Sequence, residues 1–171
     1  MRSSDMVETD LQSKWTASKP RPARILIAGL GNSLLTDDGV GVHAVRAVQA
    51  ARLPGVIAAD IGVAVLDALH LFEWAEKVIA VDAMQAGGAP GTVYRFGLDD
   101  LAEDEVAVSL HQVSLRAALR FAPAARPAIT IIGVEPLTIE YGLDLSPPVA
   151  AALPQVVAVV GQIVAGWRAQ Q

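Results

Sequence analysis

A single-domain α/β fold, with a doubly wound, mostly parallel sheet carrying helices on both faces, is what this sequence predicts on three observations. Five apolar runs of strand length alternate with stretches of helical period. The first run ends in the turn Gly29-Leu30-Gly31-Asn32 and passes directly into helix-forming sequence. The length, 171 residues, suits one domain with a substantial core and is short for two. Residues 1–23 are expected to be a polar, disordered leader and residues 24–171 the domain.

Strands are expected at residues 24–29, 56–60, 77–82, 92–96 and 128–134, all short apolar runs. Helices are expected at 37–51, 65–75 and 110–121. The carboxylate of Asp37 is positioned to cap the first of them. A last helix over residues 147–167 puts Val149, Leu153, Val156, Val160, Ile163 and Trp167 on one stripe. Ser146 followed by Pro147 is a start signal, and Pro154 predicts a kink or a break.

Composition narrows the function. A content of 53% hydrophobic and 18% charged residues describes a soluble globular protein. No continuous run reaches the roughly 18 apolar residues that span a bilayer, and residues 1–23 hold no apolar signal core, so a cytoplasmic protein without membrane association is expected. Net charge is −5, and the leader through Arg24 is basic, which leaves −7 on the remainder. An acidic body argues against nucleic acid as a partner. The absence of cysteine removes disulfides, thiolate metal sites and a cysteine nucleophile.

Three residues stand out once the topology is imposed. Asp38 opens the first helix, Asp82 ends the run Val78-Ile79-Ala80-Val81-Asp82, and His111 starts a helix behind Ser109. Open α/β sheets bind ligands beyond the carboxyl ends of their strands, and these three can share that edge. Two carboxylates and an imidazole suit Ni²⁺, Zn²⁺ or Mn²⁺. The plainer alternatives are a turn-forming Asp82 and a His111 bonded to a nearby carbonyl. Asp37 reads as a cap, His43 and His70 as structural or solvated, and Ser33, Ser109, Ser114 and Ser146 lack a nucleophile-elbow context. The glycine turn has Leu34 where a dinucleotide fingerprint needs its third glycine, and two acids follow that would repel a pyrophosphate.

The sequence resembles the hydrogenase maturation proteases, in four separated blocks: Gly29 to Asn32 with Leu35, Asp37, Asp38, Gly39 and Gly41; Val81-Asp82-Ala83 followed by Pro90-Gly91-Thr92; Ser109-Leu110-His111-Gln112; and Gly133-Val134-Glu135-Pro136 leading to Gly142 through Pro147. The resemblance implies a phosphorylase/hydrolase-like doubly wound fold and an endopeptidase that removes a short C-terminal extension from a nickel-iron hydrogenase large-subunit precursor after nickel insertion. It implies Asp38, Asp82 and His111 as the metal-binding and catalytic set, nickel supplied by the substrate, and a monomer. The family often has glutamate where Asp38 stands. It commonly carries a Gly-Gly-Thr type loop after the second strand; this chain reads Asp60-Ile61-Gly62-Val63-Ala64-Val65, so Asp60 and Gly62 are the substrate-binding candidates and the loop is stiffer. With no protein nucleophile in view, water is the expected attacking group. Two rival readings are a nickel-reading chaperone or docking module that does not cut, and a peptidyl-tRNA hydrolase, whose family also begins with a strand and Gly-Leu-Gly-Asn.

Overall fold

The computed structural model describes residues 21–97 and 127–170. Along the chain come β1 (Ile25–Leu30), a 3-10 turn (Thr36–Gly39), α1 (Val40–Ala51), β2 (Val56–Gly62), α2 (Leu69–Trp74), β3 (Lys77–Ala83), β4 (Val93–Gly97), β5 (Ala128–Val134) and α3 (Pro147–Ala169). The expected helix at 110–121, with Ser109 and His111, lies outside the described residues, as does residues 1–20 of the leader.

The five strands form one sheet in the order β2-β1-β3-β5-β4. β1 pairs in parallel with both β2 and β3, β3 pairs in parallel with β5, and β4 runs antiparallel at the edge. β1 is buried along its whole length, as a central parallel strand covered on both faces must be. Successive side chains of a strand point to opposite faces, and they sort into two cores accordingly. Ile25, Ile27, Ile79 and Val81 pack with Val45 and Val48 of α1 and Val156 and Val160 of α3. Leu26, Ala28, Val78 and Ala80 pack on the other face with Phe72 of α2.

Three local expectations are corrected. The first helix does not start at Asp37: residues Thr36–Gly39 form a 3-10 turn, α1 begins at Val40, and neither turn nor helix has a side-chain cap bond. The carboxylates of Asp37 and Asp38 are engaged elsewhere, as described below. The second expected helix shortens to Leu69–Trp74, because residues 63–68 are taken up by turns closed by bonds such as Ala64 N–H to the Ile61 carbonyl and Ala68 N–H to the Val65 carbonyl, both at 3.2 Å. Pro154 does not break α3, which runs through all 23 residues. Both Pro154 and Ala150 are exposed, so the carbonyl deprived of its i+4 donor can bond to water. By length and composition α3 could cross a bilayer, with mean hydropathy 1.8 over its most apolar window. In the fold its apolar stripe faces α1 and the sheet.

Candidate active site

The strand order locates the site. From β1 the chain moves to one side to make β2, then crosses back to place β3 on the other side of β1. The chain leaving β1 runs toward β2 on one side while the chain leaving β3 runs toward β4 and β5 on the other, and such a divergence at the carboxyl ends of two neighbouring strands opens the crevice where α/β sheets bind ligands. Asp38 follows β1 and Asp82 lies at the end of β3, so both occupy that crevice edge. Both are buried, Asp82 completely and Asp38 to 8% exposure.

The turn after β1 is built to present Asp38. Gly31 takes φ 109°, a backbone open to glycine, and a β-carbon there would overlap the Asp38 carbonyl oxygen. The Asn32 N–H donates to Asp38 Oδ2 at 2.8 Å, while Asn32 Oδ1 accepts from Leu34 N–H at 3.0 Å, so the loop closes on both sides of Asn32. The Asp38 N–H donates to the Leu35 carbonyl at 2.9 Å. Gly41, in the first turn of α1, sits so close to the ends of β1 and β3 that any β-carbon would overlap the carbonyl oxygens of Leu30 and Val81. That contact seats the Asp38 turn directly over the end of β3.

Asp37 does different work from the expected cap. Its carboxylate is fully buried and accepts four hydrogen bonds from residues 137–146: Leu137 N–H at 2.9 Å, Thr138 N–H at 3.1 Å, and the Ser146 N–H and hydroxyl, each at 2.7 Å. Burial alone would raise its pKa, but these donors, led by the Ser146 hydroxyl, hold it below the ordinary aspartate value. Thr36 helps to lash the same segments together. It sits at φ 37°, a conformation β-branched residues rarely adopt. Its N–H donates to the Gly142 carbonyl at 2.9 Å, its hydroxyl donates to the Thr138 carbonyl at 2.9 Å, and that hydroxyl oxygen accepts from Glu140 N–H at 3.1 Å. Ser146 precedes α3 without capping it through its side chain, since its hydroxyl is committed to Asp37.

A further carboxylate, Glu135, follows β5 at the same edge. It is buried and accepts from Ala86 N–H at 2.8 Å, Gly87 N–H at 3.2 Å and the Tyr94 hydroxyl at 2.8 Å. Burial pushes it up, and the donors, with Ala86 first, bring it below the usual glutamate value. Glu135 thereby ties down the loop that leaves β3 just after Asp82. Its place in a sequence block signalled importance; its partners could not be read from the block.

Asp60 is exposed near the end of the edge strand β2, opposite Gly29. Gly62 takes φ 56° and its carbonyl accepts the Gly31 N–H at 3.2 Å, which fixes the β2 loop against the Asp38 turn. Of the β-branched residues in this loop, Ile61 and Val65 are buried and Val63 is exposed, so Val63 is the one presented to solvent. His43 lies half-buried in α1, and His70 is exposed with Nδ1 3.1 Å from the Asp67 carbonyl.

Among the described residues no group of three or more His, Cys, Asp or Glu side chains is arranged to hold a metal ion. Asp38 and Asp82 are oxygen donors suited to a hard or borderline divalent cation. A fuller donor set requires His111 or atoms brought by another molecule.

Residues 42–163 match the family model described as hydrogenase maturation protease. The chain belongs to the hydrogenase maturation protease family. The matched stretch begins just behind the Asp38 turn and takes in Asp82 and the position of His111. Among curated relatives, hydrogenase expression/formation protein HupD of Rhodobacter capsulatus is 33% identical over 155 residues, covering 86% of this chain and 74% of that one. The hydrogenase 2 maturation protease of Escherichia coli K12 is 35% identical over 151 residues, covering 79% and 89%. Among solved structures, the hydrogenase maturating endopeptidase HybD from Escherichia coli superposes with a TM-score of 0.67 at 29% identity, over 80% of this chain and 89% of its own. The hydrogenase 2 maturation peptidase from Thaumarchaeota archaeon SCGC_AB-539-E09 gives 0.66 at 33% identity, over 83% and 98%. The α/β fold and the peptidase class expected from sequence both stand.

Proposed function

We propose that this enzyme removes the C-terminal extension of a nickel-iron hydrogenase large-subunit precursor after nickel has been inserted. The observation that carries the reading is the pair of buried carboxylates, Asp38 and Asp82, at the divergence of β1 and β3. In this reading they hold the nickel ion that arrives with the substrate, His111 supplies a third donor, and water is the attacking group. The ion would polarise a carbonyl or a water and report that the precursor is loaded. The buried settings of Asp38 and Asp82 exclude bulk water from their flanks, which strengthens their interaction with a cation. Asp60 and Gly62 border the same edge and would contact the polypeptide. The enzyme acts as a cytoplasmic monomer in this reading, and its partner is the precursor.

The test offers purified enzyme the nickel-loaded and the nickel-free precursor side by side, with peptide release read by mass spectrometry. Rapid release from the loaded form and slow release from the nickel-free form is the expected result. Equal release from both removes the nickel-reading step, and binding without release converts the protein into a docking module.

A further inference from the structure

Large apolar side chains scattered singly over a surface are ordinary, but their concentration beside a site is not. Among the described residues nine such side chains are exposed, and five of them, Leu34, Leu137, Ile139, Tyr141 and Leu143, stand on two segments joined beside the Asp38 turn. The joint is firm. Leu35 bridges Gly142, the Gly142 N–H donates to the Leu34 carbonyl at 3.0 Å, and Asp37 and Thr36 anchor the segment from below. The exposure is therefore a property of a rigidly held tongue. Tyr141 is 92% and Leu143 67% exposed.

We propose that this tongue, residues 137–143 together with Leu34, is the surface on which the protein substrate docks, taking an apolar patch of the substrate rimmed by lysine or arginine. The proposal rests on the endopeptidase reading above and adds to it the place and chemistry of recognition. Position is the first reason: the tongue is bonded directly to the turn that carries Asp38, so a polypeptide seated on it reaches the crevice edge. Charge is the second. Residues 137–144 contain Glu140 and Asp144, both exposed, and no lysine or arginine, so the apolar patch has an acidic border that a basic rim would complement. The same border disfavours a second copy as the occupant, since a two-fold interface would set like charges against each other. Tyr141 is of a type enriched at interface anchors, and a preorganised support lowers the ordering cost of seating it.

The experiment measures binding of purified nickel-loaded large-subunit precursor by biolayer interferometry, in an Asp82→Asn background that prevents turnover. Tyr141→Ser with Leu143→Ser should weaken Kd at least about tenfold, as expected for two buried apolar side chains. Glu140→Lys should weaken it by a smaller factor that shrinks at high salt. In the cleaving enzyme the double variant should raise KM with kcat changed less than about threefold. All three residues changed are exposed, and an unchanged melting temperature confirms folding. An unaltered Kd for the double variant overturns the docking surface, as does failure of both the Asp82→Asn parent and the unsubstituted enzyme to bind the precursor. A dimer that sediments as monomer once Tyr141 and Leu143 are replaced also overturns it, by assigning the patch to a second copy. If the unsubstituted enzyme, with Asp82 intact, binds but never cuts, the endopeptidase reading fails while the Kd comparison still judges the surface.

Discussion

Ser146 donates two hydrogen bonds, from its backbone N–H and its hydroxyl, to opposite oxygens of the Asp37 carboxylate, each at 2.7 Å. The bond from the hydroxyl joins Oδ2, which also receives Leu137 and Thr138, so a single buried carboxylate closes the segment leading into α3 over the turn that presents Asp38. Asp37→Ala would strand these donors in a buried position. A buried donor without an acceptor costs about 1–3 kcal/mol, so a loss of roughly 3 kcal/mol or more is expected in urea denaturation. Ser146→Ala removes only the hydroxyl and should cost about 1 kcal/mol. Equal losses for the two variants would mean that the backbone donors contribute nothing.

Gly41 gives a second prediction, about geometry. A β-carbon at this position overlaps the carbonyl oxygens of Leu30 and Val81, both backbone atoms that cannot swing aside. Gly41→Ala must therefore lift α1 from the strand ends and move the attached Asp38. Cleavage should fall by at least about tenfold, because displacement of a positioned group by about 1 Å can cost a hundredfold. The matched control is Gly161→Ala in α3, where a β-carbon meets nothing within 4 Å. That variant should retain activity and gain a few tenths of a kcal/mol or more in stability from the better helix former.

The third prediction concerns pH. Glu135 is held below its ordinary value, so its contribution to stability is complete above the unfolded-state value near 4.3 and is lost as pH falls through the depressed folded value. Tyr94 moves the other way: burial, the bond to Glu135 and that carboxylate's charge raise it above its ordinary value. Its contribution is complete below about 10 and is lost as pH rises through the raised folded value. Melting temperature against pH should thus decline at both ends. Tyr94→Phe should flatten the alkaline decline and Glu135→Gln the acid one. An alkaline limb equally steep in Tyr94→Phe assigns that limb to other groups.

The sheet was legible because it depends on local pattern. The runs that became β1, β3 and β5 are apolar on both faces, which is the mark of buried parallel strands, and each observed strand lies within two residues of its expectation. The placement of Asp38 and Asp82 at the carboxyl edge was legible for a related reason, since Asp82 lies near the end of a strand and Asp38 in the short turn that leads from β1 into α1. Asp37 was misread because its partners lie 100 to 109 positions away, and no local rule distinguishes a helix cap from a tie to a distant loop. Glu135 was not singled out for the same reason: its donors are backbone N–H groups of residues 86 and 87, whose approach is set by the fold. The apolar tongue was not singled out either, because the spacing of Leu137, Ile139, Tyr141 and Leu143 alone does not say which face is covered, and the structure leaves all four exposed.

The last prediction separates charge from shape at the crevice. Asp38→Asn keeps an amide oxygen that can still accept from Asn32 N–H, so the turn should survive, and Asp82→Asn likewise keeps the volume of a fully buried side chain. What both lose is the negative charge that would hold a divalent cation. Even partners one step removed from a metal typically cost 10–100-fold when changed, so loss of a direct donor should lower cleavage of nickel-loaded precursor by more than about a hundredfold. Asp60→Asn, at an exposed edge-strand position, should lower it by less than about tenfold and act mainly on KM. Thermal melts of all three variants should show intact cooperative unfolding. If Asp82→Asn, well folded, cuts the precursor at the normal rate, Asp82 is a structural aspartate and the cation site must be sought elsewhere on the carboxyl edge of the sheet.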